Sequence, residues 1–507
     1  MMRRKTKKIR QKTSESNEVK KVPNFKMTID ENFEYVSNAI ANTSELAKRE
    51  IFFNNKKCYL IFLSTITSSE TIENQIIKPL LEKKEGDVTQ TVYVNEVKEL
   101  DQLEDLPISL IIGAAILLID GEMTAFSFGV SQSEKRSVTE PVNEQVIRGS
   151  HEGFVEDLRS NINMLRKRLN IINLKVTYYV LGSQSQLKLA IVYIDKLANQ
   201  ELIQEIDRRL SYIQVDYVDS PGQLEEFIED SPFSPFPQLM NTERPDRVTA
   251  QLMEGRIALL CNGSPSALIL PVTFFAFYQS PDDYNSRWYL GSFYRFVRLM
   301  SFFVAIGLPA TYIAVVSFHY EVIPMDLVFT IKGSLEYVPI PPLVEAMFMQ
   351  VILELIRESA IRLPAPIAQT IGVVGGLVIG TAVVQANLVS NTMIVVVALT
   401  AIASFVVPNS EMGTSVRILG FPLMLSAAFL GFIGMTFTFL IILIHLCKLE
   451  SFGSPYFAPF APFRAKDFKD TFTRVPLWLM NRRPSTPKPQ RMERQLNPRG
   501  WKNENGK

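Results

Sequence analysis

Cysteine and histidine are scarce in this chain, three of each among 507 residues. Cys58, Cys261 and Cys447 lie far apart and follow no CxxC or Cys/His spacing, which argues against a disulfide framework or a zinc site. The histidines, His151, His319 and His445, have no partner at metal-ligand spacing. GxxxxGK[ST], strand-anchored GxGxxG, GxSxG and HExxH are all missing, so no motif supports nucleotide-driven or hydrolytic chemistry. No enzymatic activity, no cofactor, no metal and no nucleic-acid partner is expected. The most consequential absence is charge. Between Arg362 and Glu411 there is no Lys, Arg, Asp or Glu.

That gap has a physical meaning, because roughly 20 apolar helical residues cross a hydrocarbon core about 30 Å thick. Apolar runs near or above this length occupy 296–318, 367–388, 392–408 and 418–446. Residues before about 290 are polar enough for water. The expected fold is a two-lobed α/β soluble N-terminal region followed by an all-α polytopic membrane domain embedded in a lipid bilayer. Its expected parts are a basic disordered arm (1–29), α/β lobes over 30–145 and 146–290, the helical membrane domain (291–450) and a basic cytoplasmic tail (451–507).

The net charge of +1 conceals Lys/Arg-rich ends. Met1–Lys21 has no apolar h-region and does not read as a secretory signal. Such ends are either solvated tails or attracted to anionic headgroups. Arg287, Arg295 and Arg298 flank the first apolar run, and Lys448, Arg464, Lys466 and Lys469 follow the last. The positive-inside rule then puts both termini in the cytoplasm, which needs an even number of crossings. Four runs satisfy it. The segment 342–362 is apolar yet carries Glu345, Glu354, Arg357, Glu358 and Arg362. Glu354–Arg357 and Glu358–Arg362 stand at helical pairing distance, so an amphipathic helix at the interface or beside a wet vestibule is expected.

In the soluble half, helical spacing is expected over Thr28–Asn42, Ser69–Lys84 and, most clearly, His151–Asn170, with a strand at Cys58–Leu63. Two hairpins are marked by Asp120-Gly121 and Asn262-Gly263. They align without gaps, LLIDGEMTAF against LLCNGSPSAL, displaced by 142 residues. Two related lobes are expected, dividing near Val138–Ser150. Ala267–Tyr278 is apolar but too short to cross a membrane, and Pro271 interrupts it.

Within the membrane part, Gly372, Gly376 and Gly380 repeat every four residues and form a double GxxxG. Small residues let helices approach closely, either within one subunit or between identical subunits. Thr370, Thr381 and Gln385 form a polar stripe on the same helix, away from the glycines. They either bond to neighbouring helices or line an aqueous path, with Val374, Val378 and Leu377 as a possible apolar constriction.

Four strings carry a family resemblance: SPFPQLMNTERPD (Ser234–Asp246), RIALLCNGSPSALILPVTFFAFYQSPDDY (Arg256–Tyr284), IRLPAPIAQTIGVVGGLVIGTAVVQANLVS (Ile361–Ser390) and SPYFAPFAP (Ser454–Pro462). In order and spacing the chain resembles the A subunit of the GerA-type spore germinant receptors, from about Asn32 to Arg483. The resemblance implies a receptor complex in the inner membrane of the spore, with a transporter-like, nutrient-binding B subunit and a lipoprotein C subunit. It also implies homo-oligomers acting as a nutrient-gated ion channel. One departure is PNSEMGTSVRILGFP, where Gly420 replaces the family's usual Arg and leaves Arg417 as the main charge.

Overall fold

A computed structural model describes residues 24–131, 140–141, 143–496 and 498–499, without the side chains of 365, 366, 368, 369, 371, 373, 374 and 379. The expected basic arm lies almost wholly outside the described residues, as does part of the expected lobe boundary. The chain divides into two compact units at Ser133/Glu134.

In the first unit, α1 (Ile29–Ala39) precedes the hairpin of β1 (Leu46–Phe53) and β2 (Lys56–Leu63). Helical turns over 69–83 follow, with a π-helical stretch at Ile72–Ile77. Then come β3 (Val97–Leu100), α2 (Asp105–Ile112), β4 (Ala114–Ile119) and β5 (Ala125–Gly129). The sheet order is β1-β2-β4-β5-β3, antiparallel throughout.

The second unit opens with the same plan. Helix α3 (Leu158–Arg168) leads to β6 (Leu174–Leu181) and β7 (Leu187–Ile194). Helices α4 (Gln200–Tyr212) and α5 (Pro221–Ile228), edge strand β8 (Met240–Thr242), α6 (Pro245–Leu252), β9 (Ile257–Cys261) and β10 (Ala267–Leu270) complete it. Its sheet order, β6-β7-β9-β10-β8, repeats the first, again antiparallel. The two aligned hairpins even share their register. Leu118 faces Ala125, and Leu260 faces Ala267 at the same displacement. Their loops run five residues with positive φ at Gly121 and Gly263 alone, so they are longer than the two-residue turns that Asp-Gly and Asn-Gly suggest.

One local expectation is corrected. The helix expected over His151–Asn170 starts at Leu158, where the Asp157 side chain accepts from Ser160 N and caps it. Phe154 is still buried, but from extended chain whose amide donates to Glu243 O. The sheets are antiparallel layers covered by helices. In β9 the side chains alternate between two cores: Ala258 and Leu260 face α3 and α6, while Leu259 and Cys261 face α4 and α5. Burial on both faces is why this strand reads as an unbroken apolar run.

The helical part comprises α7 (Trp288–Ser317), α8 (Met325–Leu335), α9 (Pro342–Ile361), α10 (Ala365–Gln385), α11 (Asn391–Phe405) and α12 (Ser410–Lys448). Helices α7 and α12 are long and apolar enough to cross a membrane by length and composition. Helix α11 has 15 residues, about 22 Å at 1.5 Å per residue, and falls short of the span expected over 392–408. Nor is 418–446 one straight rod. Gly431 has φ 59° and ψ −139°, which breaks α12, and a Cβ at Gly434 would overlap the Ser426 carbonyl oxygen.

The sharpest correction concerns the C-terminal segment, expected to be a basic cytoplasmic tail, solvated or drawn to headgroups. Its described residues pack on the second sheet unit: Tyr456 is fully buried, its hydroxyl donates to Pro237 O at 2.7 Å, and Phe274 N donates to Tyr456 O at 2.9 Å. Phe457, Phe460 and Phe472 stack around Phe275. Arg295 and Arg298, expected to flank the first apolar run as cytoplasmic charges, are also spent inside the protein. Arg295 and Asp283 are fully buried; Arg298 Nη1 reaches Asp283 Oδ1 at 2.7 Å and Arg295 Nη1 reaches Asp470 Oδ1 at 2.8 Å. Arg474 Nη1 donates to Asp283 O at 2.8 Å. The foot of α7 is therefore clamped by the Pro281–Asn285 turn and the C-terminal segment. A continuous hydrophobic core runs from β9 through Phe274 and Phe302 into α12, so position 290 is no boundary of packing.

Candidate functional site in the helical domain

Helix α10 carries most of the residues singled out in the sequence. At 100° per residue, Gly372, Gly376 and Gly380 share one face, Thr370, Val378, Thr381 and Gln385 share the opposite one, and Leu377 lies on the flank between them. Pro364 precedes the helix as its cap, with Ala365-Pro366 opening the first turn, a position where the missing N–H costs nothing. The helix packs along α9. Yet a Cβ placed at Gly372, Gly376 or Gly380 would meet no other atom within 4 Å. On the opposite face Val378 is 54% exposed and Gln385 is exposed, and Leu377 on the flank is 66% exposed. Thr381 does not need a neighbour, because its hydroxyl donates to Leu377 O at 2.9 Å. Val374 lies outside the described side chains.

The charges of α9 separate into three environments. Glu345 does not sit at an interface: it is fully buried, accepting from Ser390 N at the N-terminus of α11. Tyr312 of α7 completes this group through Ser390 Oγ at 3.2 Å, and Glu345 Oε2 is left without a partner. Glu354 lies between two arginines, 2.6 Å from Arg417 Nε of α12 and 3.7 Å from Arg357 Nη1. Arg357 also donates to Ser404 Oγ at 3.2 Å and covers the Phe405 ring of α11. Glu358 and Arg362 pair with each other on the exposed surface. Arg417 is thus the link between α12 and α9. At position 420 a Cβ would stand 4.0 Å from the α7 carbonyl oxygens of Ala305 and Ile306, so a side chain longer than a methyl would need space there.

Sequence reasoning named Glu345, Glu354 and Arg357 but not their partners. Ser390 and Ser404 lie 45 and 47 residues away along the chain, and no periodicity connects them. His445 bonds Ser234 Oγ at 2.8 Å and stacks on Phe236, and among the described residues no cluster of His, Cys, Asp or Glu could hold an ion.

Twin antiparallel α/β units, the second fused through one core to a helical domain with two helices of membrane length, define the class of protein. A family profile described as Bacillus/Clostridium GerA spore germination protein matches residues 34–486. Among similar proteins, "Uncharacterized membrane protein YfkQ" of Bacillus subtilis (strain 168) is 38% identical over 472 residues, covering 92% of this chain and 91% of that one. "Spore germination protein A1" of the same organism is 39% identical over 463 residues, 89% and 95% of the two chains. "Spore germination protein GerLA" of Bacillus cereus is 37% identical over 459 residues, 89% and 93%. A crystal structure of the N-terminal domain of the A subunit of the Bacillus megaterium spore germinant receptor GerK3 matches at 24% identity and TM-score 0.37, covering 50% of this chain and 98% of that one. The chain belongs to the GerA spore germination protein family, whose receptor A subunits its motifs resemble.

Proposed function

We propose that this protein is the A-type membrane subunit of a nutrient-sensing spore germinant receptor, and that copies of it assemble into a nutrient-gated ion channel. It has no enzymatic role. It acts in the inner membrane of the spore, crossing it several times with both termini cytoplasmic, beside a transporter-like B subunit that binds the nutrient and a lipoprotein C subunit.

The observation that carries the channel reading is the bareness of α10. One face is glycine with no atom within 4 Å, and the other alternates hydroxyl, amide and branched apolar side chains. A helix that its own chain leaves uncovered on both faces suits a ring, where glycines take the neighbouring subunit and the opposite face lines the axis. Van der Waals packing of small residues drives such contacts in lipid, and Leu377 and Val378 would dewet a closed pore.

A second reading, a transporter-like or scaffold subunit without its own pore, draws on the helix break at Gly431, since transporters use discontinuous helices at their sites. One variant pair separates the two. Gly376→Leu should abolish crosslinked oligomer ladders while leaving the monomer folded. Val378→Ser should raise ion leak from liposomes in the absence of nutrient. Unchanged ladders and unchanged flux across substitutions on every face of α10 would move the pore elsewhere and favour the second reading.

A further inference from the structure

The described residues contain a cavity of about 720 Å³ between the second sheet unit and the C-terminal segment. Its size is that of small-molecule sites. Seven arginine and lysine side chains line it against three carboxylates.

Two of those carboxylates are already committed. Asp467 accepts from the Ser485 hydroxyl, and Asp470 holds Arg295 and the Tyr284 hydroxyl. The third, Glu254, is 3.8 Å from Arg256 Nη2, beyond hydrogen-bond reach. Arg256 is therefore the anomaly. It is 5% exposed, it lines the cavity, and both Nε and Nη1 are buried without a partner. A buried guanidinium left this way is costly, and its fork matches the oxygens of a phosphate or carboxylate. Burial also pushes Arg256 down and Glu254 up from their ordinary ranges, which weakens the pair as a mutual solution. At the opening, Lys466 and Lys469 are exposed and form no ion pair among the described residues.

We infer that this cavity is a binding site for a small, multiply charged anion of the phosphate or carboxylate class, with Arg256 as its buried anchor and Lys466 and Lys469 at its rim. The shared chemistry admits a soluble phosphate ester or a phospholipid headgroup. Asp470 lines the cavity and also holds Arg295, so the occupant sits beside the foot of α7.

The test uses the full chain in phosphatidylcholine nanodiscs, titrated with inorganic pyrophosphate at ionic strength held constant with potassium chloride. Calorimetry and the thermal midpoint are the readouts. Saturable binding with a raised midpoint is expected, weakened about tenfold or more by Arg256→Gln, the equivalent of about 1.4 kcal/mol. Lys466→Gln combined with Lys469→Gln alters only exposed side chains and should weaken binding severalfold without lowering the ligand-free midpoint. A parallel set of nanodiscs containing phosphatidic acid identifies the source. Loss of pyrophosphate binding there supports a headgroup occupant, and retained binding supports a soluble one. No saturable binding, or equal binding by the native chain and both variants, overturns the inference.

Discussion

At Gly434 the backbone of α12 passes so close to the Ser426 carbonyl that no side chain fits, and three residues earlier Gly431 adopts a φ that L side chains rarely take. Gly434→Ala should therefore cost about 1–3 kcal/mol through overlap. Gly431→Ala should cost a similar amount through strain, with His319 Nε2 2.8 Å from the new Cβ. Thermal denaturation in detergent measures both, and an unchanged midpoint for both would mean that α12 is straight. Glu225 offers a different probe. Burial, then Glu411, then Glu229 push its carboxyl up to about 8 from 4.5. The folded state thus keeps a proton that the unfolded chain has lost, so this contribution is present below pH 4.5 and disappears as pH rises through about 8. Glu225→Gln should flatten the fall in stability between pH 5 and 9, and an identical slope in the variant would contradict the shift.

Among elements, α9 shows how one charged helix serves three surroundings. Glu345 faces the interior beside Ser390, Glu354 and Arg357 face α11 and α12, and Glu358 and Arg362 face outward. Cysteines at 358 and 362 should react with a water-soluble maleimide. Cysteines at 354 and 357 should be protected, and become reactive when Arg417→Ala opens the contact with α12. Labelling that is uniform along the four positions would show that the helix does not pack as described. Helix α10 differs at its glycine face, where an added side chain would meet no neighbouring atom within 4 Å. Gly376→Leu should accordingly spare the monomer's melting midpoint and act on assembly alone.

At the scale of the whole second unit, the clamp around Asp283 joins the sheet, α7 and the C-terminal segment. Removing its charge with Asp283→Asn leaves Arg295 buried and underpaired, which should cost about 3–5 kcal/mol. The control Arg208→Gln, which breaks an exposed helix pair with Glu205, should leave stability almost unchanged, because water screens that pair. Comparable losses from both variants, measured by thermal unfolding, would remove the clamp from the account. Because the hydrophobic core is continuous from β9 to α12, unfolding of this unit should follow one transition with no separate step for the sheet.

Local pattern was enough to read the strand at Cys58–Leu63, the two hairpins and their kinship, and the apolar helical segments. Each rests on periodicity or on turn residues within a few positions, where side-chain chemistry acts directly on the backbone. The antiparallel strand order, the break at Gly431, the docking of the C-terminal segment, the partners of Glu345 and Arg295 and the burial of Arg256 were decided only by tertiary structure. Glu345 meets Ser390 across 45 residues and Arg295 meets Asp470 across 175. Composition left the Lys/Arg-rich C-terminal segment between a solvated tail and attraction to headgroups, because charge ordinarily seeks water or a counter-charge. In the folded protein, buried carboxylates, backbone carbonyls and aromatic packing supply what water would have, and no count along the chain records where those groups come together.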